Sequence, residues 1–81
     1  MPETKPTARE IEIRAEKRHA SWRQKVADLH EAESRDPYGD SIRVARCASH
    51  ESIARHGLID LLIAHQMEGS RFDPRLEVTA A

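Results

Sequence analysis

The stretch from Ile42 to Met67, IRVARCASHESIARHGLIDLLIAHQM, decides the fold that this sequence predicts. Wound as an α-helix, it carries apolar residues on two neighbouring sectors instead of one. The first sector holds Val44, Cys47, Ala48, Ala54, Leu58, Leu61 and Leu62, and the second holds Ile42, Ala45, Ile53, Ile59, Ile63 and Met67. A helix that is apolar over most of its circumference needs cover on more than one side. One sector therefore predicts an intramolecular core, and the other predicts a surface for association.

The residues before this stretch predict a second long helix, from Thr7 to about Ser34. Thr7-Ala8-Arg9-Glu10 fits the capping box, in which a threonine side chain accepts a hydrogen bond from the backbone amide three residues later. No Gly or Pro interrupts the segment, and one face follows helical steps through Ala8, Ile11, Ala15, Trp22, Val26 and Leu29.

The segment Arg35-Asp36-Pro37-Tyr38-Gly39-Asp40-Ser41 separates the two predicted helices. Proline presets one backbone dihedral of a turn, and glycine tolerates positive φ. So short a connection predicts that the helices fold back as an antiparallel hairpin.

Counting outwards from the turn gives the register of this hairpin. Trp22 is expected opposite Ala54, and Leu29 opposite Cys47. Ile11 and Ala15 are expected near Leu61, Leu62 and His65. The predicted intramolecular core is therefore Trp22, Val44, Cys47, Leu58, Leu61 and Leu62.

The sequence also suggests where the ordered part of the chain begins and ends. Residues 1–6 contain two prolines and no apolar pattern, and they are predicted to be a disordered lead-in. Residues 7–69 form the hairpin domain, with Gly69 as the expected stop. Gly57 is a possible break in the second helix, but both sectors keep their phase across it, which favours continuity. Residues 70–81 are predicted to be an irregular tail that either folds back or docks on another molecule through Phe72.

Length and composition limit the class of protein. A domain of 81 residues rarely stabilises itself by more than about 3–5 kcal/mol from its own core, so association is expected, most simply as a homodimer forming a four-helix bundle. The single cysteine, Cys47, excludes an internal disulfide and points to a reducing compartment. With a net charge of −1, no apolar run long enough for a membrane span and no signal-peptide core, the chain is predicted to be soluble and cytoplasmic.

Ser52, His56 and Asp60 stand four residues apart on the second predicted helix and match the residue types of a catalytic triad. Known triads gather residues from separate segments, and no nucleophile elbow or Gly-rich turn lies near Ser52. Asp60 is instead expected to steady His56 within the helix. The same pair has the spacing to hold a metal ion, but further ligands are missing. No catalytic residue, metal or cofactor is therefore predicted.

The function that these patterns favour is protein binding. An apolar helix face laid against a protein target is a common recognition mode, and it suits a small regulator, inhibitor or antiactivator of the kind found on phages and mobile elements. The predicted contact residues are Ile53, His56, Ile59, Ile63, Met67 and Phe72.

The alternative is a small transcriptional regulator with a degenerate helix-turn-helix. In that interpretation the turn would fall at residues 48–51, and Arg43, Arg46 and Arg55 would contact DNA. The absence of a glycine at the turn and of a strongly basic recognition helix weighs against it.

Overall fold

The computed structural model describes residues 5–36 and 42–78. These residues form helix α1 (Ala8–Arg35), helix α2 (Ile42–Ala64) and a short helix α3 (Pro74–Val78), with no strand among them. The predicted all-α hairpin is thereby confirmed. Most of the predicted lead-in, residues 37–41 of the predicted connection Arg35–Ser41 and the end of the tail lie outside the described residues.

Helix α1 begins where the capping box predicts. Thr7 is its N-cap, with φ −72° and ψ 161°, and the Thr7 Oγ1 accepts a hydrogen bond of 3.1 Å from the backbone amide of Glu10. This bond satisfies one of the amides that the first turn of a helix leaves without an intrahelical partner. The threonine thus fixes the start of the helix.

Helices α1 and α2 run antiparallel, in the register that the sequence predicts. Trp22 Nε1 donates a hydrogen bond to Glu51 Oε2 at 3.1 Å, one turn before Ala54. Further from the connection, the Arg18 guanidinium donates to the carbonyl of Gly57 at 3.4 Å. Positions later in α2 therefore meet positions earlier in α1.

The core is a small cluster made of Ala15, Trp22, Leu58, Leu62 and Phe72. Val26, Ala54, Leu61 and Met67 are partly buried against it. Val44 and Cys47, which were predicted to belong to the core, are only half-buried and lie outside the cluster, so this part of the prediction is wrong. The radius of gyration is 15.3 Å, against about 12 Å for a compact domain of this length. Two helices with one shared seam make a long, thin body.

Helix α2 passes Gly57 without a break, as predicted, but it ends at Ala64 and not at Gly69. Gln66 takes the left-handed conformation, with φ 55°. Its amide bonds to the carbonyl of Ile63 at 3.2 Å, and the Met67 amide bonds to the carbonyl of Leu62 at 2.8 Å. These two bonds form a Schellman motif, which closes a helix by satisfying its last carbonyls.

Replacing Gln66 by glycine is expected to stabilise the protein. A non-glycine residue in the left-handed region costs roughly 1 kcal/mol, which glycine avoids. We expect Gln66→Gly to raise the midpoint of thermal unfolding by a few degrees. Gly69 has φ 78° with open space around it, so Gly69→Ala should lower the midpoint by a similar amount. A Gln66→Gly midpoint below that of the wild type would contradict this account of the helix end.

The segment after α2 folds back onto the hairpin and is not wholly irregular. Phe72 is 6% exposed and belongs to the core cluster, and helix α3 follows it. Asp73 stands in the N-cap position, and Pro74 occupies the first helical position, where its missing N–H costs nothing. His19 Nε2 lies 2.9 Å from Glu77 Oε1 and ties α1 to α3.

Candidate interaction surface

The side of α2 that faces away from α1 is rich in exposed isoleucine. Ile42 is 74% exposed, Ile53 68% and Ile63 48%. At 100° per residue, Ile53 lies about 140° round the helix from the buried Leu58. Ile53 therefore lies away from the buried seam, and the α1 side chain that borders it is Lys25. This outer face of α2 is therefore the apolar surface that the hairpin leaves open.

The structure places the six residues predicted to bind a partner in three different settings. Ile53, His56 and Ile63 are exposed on the outer face, and Ile59 is half-buried at its edge. Met67 packs against the core cluster. Phe72 is inside that cluster and its ring is covered by its own chain, so the prediction that it lies on an exposed binding surface is wrong. Of the two alternatives for the tail, the structure shows the fold back onto the hairpin, with Phe72 in the same cluster as Leu62.

The arginines proposed to contact DNA do not share one surface. Arg46 and Arg55 are nine residues apart, which places them about 180° from each other around α2. Arg55 lies 3.6 Å from Glu51 and is only 36% exposed, whereas Arg43 and Arg46 are exposed. The turn needed at residues 48–51 is also not formed, because α2 is continuous there. The helix-turn-helix geometry is therefore absent from this segment.

Ser52, His56 and Asp60 lie along α2 at the predicted spacing, but they are not linked. His56 and Asp60 are exposed, and within residues 5–36 and 42–78 no hydrogen bond or ion pair joins the three side chains. The expectation that Asp60 steadies His56 is therefore wrong. In the same described ranges, no group of three His, Cys, Asp or Glu residues is arranged to hold a metal ion.

Sequence reasoning missed a groove beside Trp22. It has a volume of about 360 Å³ and lies between α1, α2 and α3, lined by Trp22, Val26, Leu29, His30, Glu51, Arg55 and Glu77. Both of its carboxylates are already engaged: Glu51 by Trp22 and Arg55, and Glu77 by His19 and Arg23. The groove therefore offers an apolar wall and paired charges, with no carboxylate left over for a cationic ligand.

Two of these groove contacts had a partial signal in the sequence. Glu51 follows Cys47 by one helical turn on the side of α2 that faces α1, so an acceptor for the indole N–H could have been sought there. Asp73-Pro74 is a helix-start signal, and it would have predicted the helix that carries Glu77.

Comparison of the chain with protein-family models, with curated protein sequences and with solved structures gave no match. The helices in the described ranges were also tested for membrane spans, and none is both long and apolar enough to cross a bilayer. Any assignment of function therefore depends on the surfaces of the molecule itself.

Proposed function

We propose that this protein is a non-enzymatic protein-interaction module that acts as a regulator, inhibitor or antiactivator by presenting the outer face of α2. The observation that carries the proposal is the exposure of Ile42, Ile53 and Ile63 along one side of a single rigid helix. Burial of an isoleucine side chain is worth about 1.5–3 kcal/mol relative to leaving it in water. A row of such side chains is a source of binding free energy that the hairpin itself does not use.

The small core gives a second reason. The buried apolar residues of the described segments are Ala15, Trp22, Ala32, Leu58, Leu62 and Phe72, and two of the six are alanines. Domains of this size commonly complete their core by association. An amphipathic partner helix lying along α2 would supply the missing cover by the helix-in-groove mode.

Substitution of Ile53 by aspartate tests this function directly. Because Ile53 is 68% exposed, we expect Ile53→Asp to keep the far-UV circular dichroism and the unfolding midpoint of the monomer. Association should fall at least about tenfold, since a charge in the centre of an apolar contact must be desolvated. The solution mass measures self-association, and cross-linking quantifies the capture of other proteins.

Ile13→Asp is the control on the other long helix, because Ile13 is an isoleucine of α1 that is 37% exposed. It should leave association unchanged. Ile59→Asp is a poorer probe because Ile59 is half-buried, and its substitution would disturb folding and binding together. If Ile53→Asp folds and associates with itself and with other proteins as the wild type does, the proposed surface is wrong.

The alternative function, DNA binding, has weaker support. Of the three proposed arginines only Arg43 and Arg46 are exposed, and the net charge of the chain is −1. A duplex-binding assay across a salt series separates the two functions, because phosphate contacts lose affinity steeply with salt.

A further inference from the structure

We infer that the occupant of the outer face of α2 is a second copy of this chain, bound antiparallel with the two-fold axis at Ile53. This inference rests on the proposed function, because it names the partner of the same face. The dimer places α2 against α2 of the second copy, and the two α1 helices lie on the far sides.

The spacing of the residues on this face is the same in both directions from Ile53. The residues seven and eleven positions away on either side are all exposed; they are Ile42 and Arg46 before it, and Asp60 and Ala64 after it. Seven and eleven residues are about two and three helical turns, so the row runs straight along a regular helix. A two-fold axis through Ile53 therefore superposes this row on its own reverse.

The chemistry at matching positions is complementary. Seven residues to either side of Ile53 stand Arg46 and Asp60, so the two-fold axis sets each arginine opposite the aspartate of the other copy. Both side chains are exposed, and neither has an ion-pair partner within the described ranges. Two equivalent ion pairs then frame a central contact between the two Ile53 side chains.

Size matches as well as charge. Eleven residues out, the large Ile42 meets the small Ala64. Pairing large with small side chains is the arrangement that allows two helix faces to interdigitate. A parallel pairing would instead set Arg46 on Arg46 and Asp60 on Asp60, and like charges in contact are destabilising.

Charge reversal tests both the partner and the register. Sedimentation velocity of the full chain over a concentration series should show the mass of the wild type rising towards twice that of one chain. Arg46→Asp and Asp60→Arg should each raise the dissociation constant about tenfold or more, because each turns two attractions into two repulsions. The double variant should recover most of the wild-type affinity. Arg43→Asp is the matched control, because Arg43 is exposed but lies about 80° round the helix from Ile53.

A cross-linking measurement gives an independent check of the axis. In a Cys47→Ser background, Ile53→Cys should form a disulfide-linked dimer on mild oxidation, because residues on the axis approach their own copies. Ile42→Cys should not, since its copies lie at opposite ends of the seam.

Two results would contradict the inference that a second copy occupies this face. One is a wild type that stays monomeric at every concentration. The other is a double variant whose dissociation constant is no lower than those of the single variants. Failure of the proposed function would look different: Ile53→Asp would then leave unchanged both self-association and association with other proteins.

Discussion

Leu58→Ala is expected to unfold most of the protein at 25 °C. Leu58 is fully buried and lies in the one cluster formed by Ala15, Trp22, Leu62 and Phe72. A buried leucine truncated to alanine loses about 2–5 kcal/mol, from lost transfer free energy and from the cavity that remains. A domain of this size rarely gains more than about 3–5 kcal/mol from its core, so the loss is comparable with the whole stability.

Leu76→Ala is the matched control for this experiment, because Leu76 is a leucine that is 52% exposed on α3. Its replacement should change the free energy of unfolding by about 0.5 kcal/mol or less. Urea titrations followed by circular dichroism compare the two variants, at one fixed protein concentration because association adds to stability. Equal losses in Leu58→Ala and Leu76→Ala would mean that the cluster around Leu58 is not the core.

Local rules and hydrophobic periodicity were sufficient to predict the hairpin. The Thr7 cap depends on a side chain and an amide three residues apart, so the sequence alone determines it. The pairing of Trp22 with the turn of α2 that carries Glu51 follows from counting along two regular helices. Continuity through Gly57 could be predicted because a single glycine costs about 1 kcal/mol, less than the free energy gained by burying Leu58 and Leu62, which follow it.

The end of α2 and the fold of the tail depended on contacts that periodicity does not report. The left-handed residue that closes α2 is Gln66 and not Gly69, whose own positive φ falls after the helix, because the Met67 side chain then packs against the core cluster. That is a tertiary contact which overrides the preference of glycine. Likewise, Phe72 is buried because it packs in one cluster with Trp22 of α1 and Leu62 of α2. An exposed apolar residue and a buried one look alike in a sequence.

The outer face of α2 illustrates the same limit. Both sectors of the helix are apolar in sequence, and only the packing of α1 shows which one stays open. Ile53 and Ile63 are exposed, as their predicted place on the association surface requires. Their role in binding stays a prediction. The sequence suggests DNA contact for Arg46 and a pair with His56 for Asp60. Their symmetric positions about Ile53 become relevant to association only because the structure shows that both side chains are exposed on the same side of α2.

Asp73→Ala is expected to detach α3 from the end of the hairpin. Asp73 is 2% exposed and accepts four hydrogen bonds: from the Gly69 amide at 2.9 Å, from the Arg75 amide at 3.0 Å, and from the Arg75 guanidinium at 3.0 and 2.8 Å. It is both the N-cap of α3 and the link that closes the turn after Gly69. Loss of a buried charged acceptor with these partners should cost about 2 kcal/mol, part of it because the Gly69 amide is left unpaired.

The charge of Asp73 also makes stability depend on pH. The side-chain hydrogen bonds from Arg75 hold the pKa of Asp73 far below its ordinary value; burial opposes this, and the backbone amides of Gly69 and Arg75 add to it. A carboxyl whose pKa is lower in the folded state binds fewer protons there than in the unfolded chain. Its contribution is therefore complete above the unfolded pKa of about 3.9 and is lost as pH falls further, towards the folded pKa.

Asp73→Asn separates the charge from the cap, since asparagine is also a good N-cap. The difference in unfolding free energy between wild type and Asp73→Asn should be constant from neutral pH to about pH 5 and shrink as the pH falls below about 4. Because Arg75 is 49% exposed, part of that difference should also be screened by salt. Hydrogen exchange at the amides of Gly69 and Arg75 would report the loss locally, ahead of global unfolding. A difference that did not change between pH 5 and pH 2 would show that Asp73 holds α3 through shape alone, without its charge.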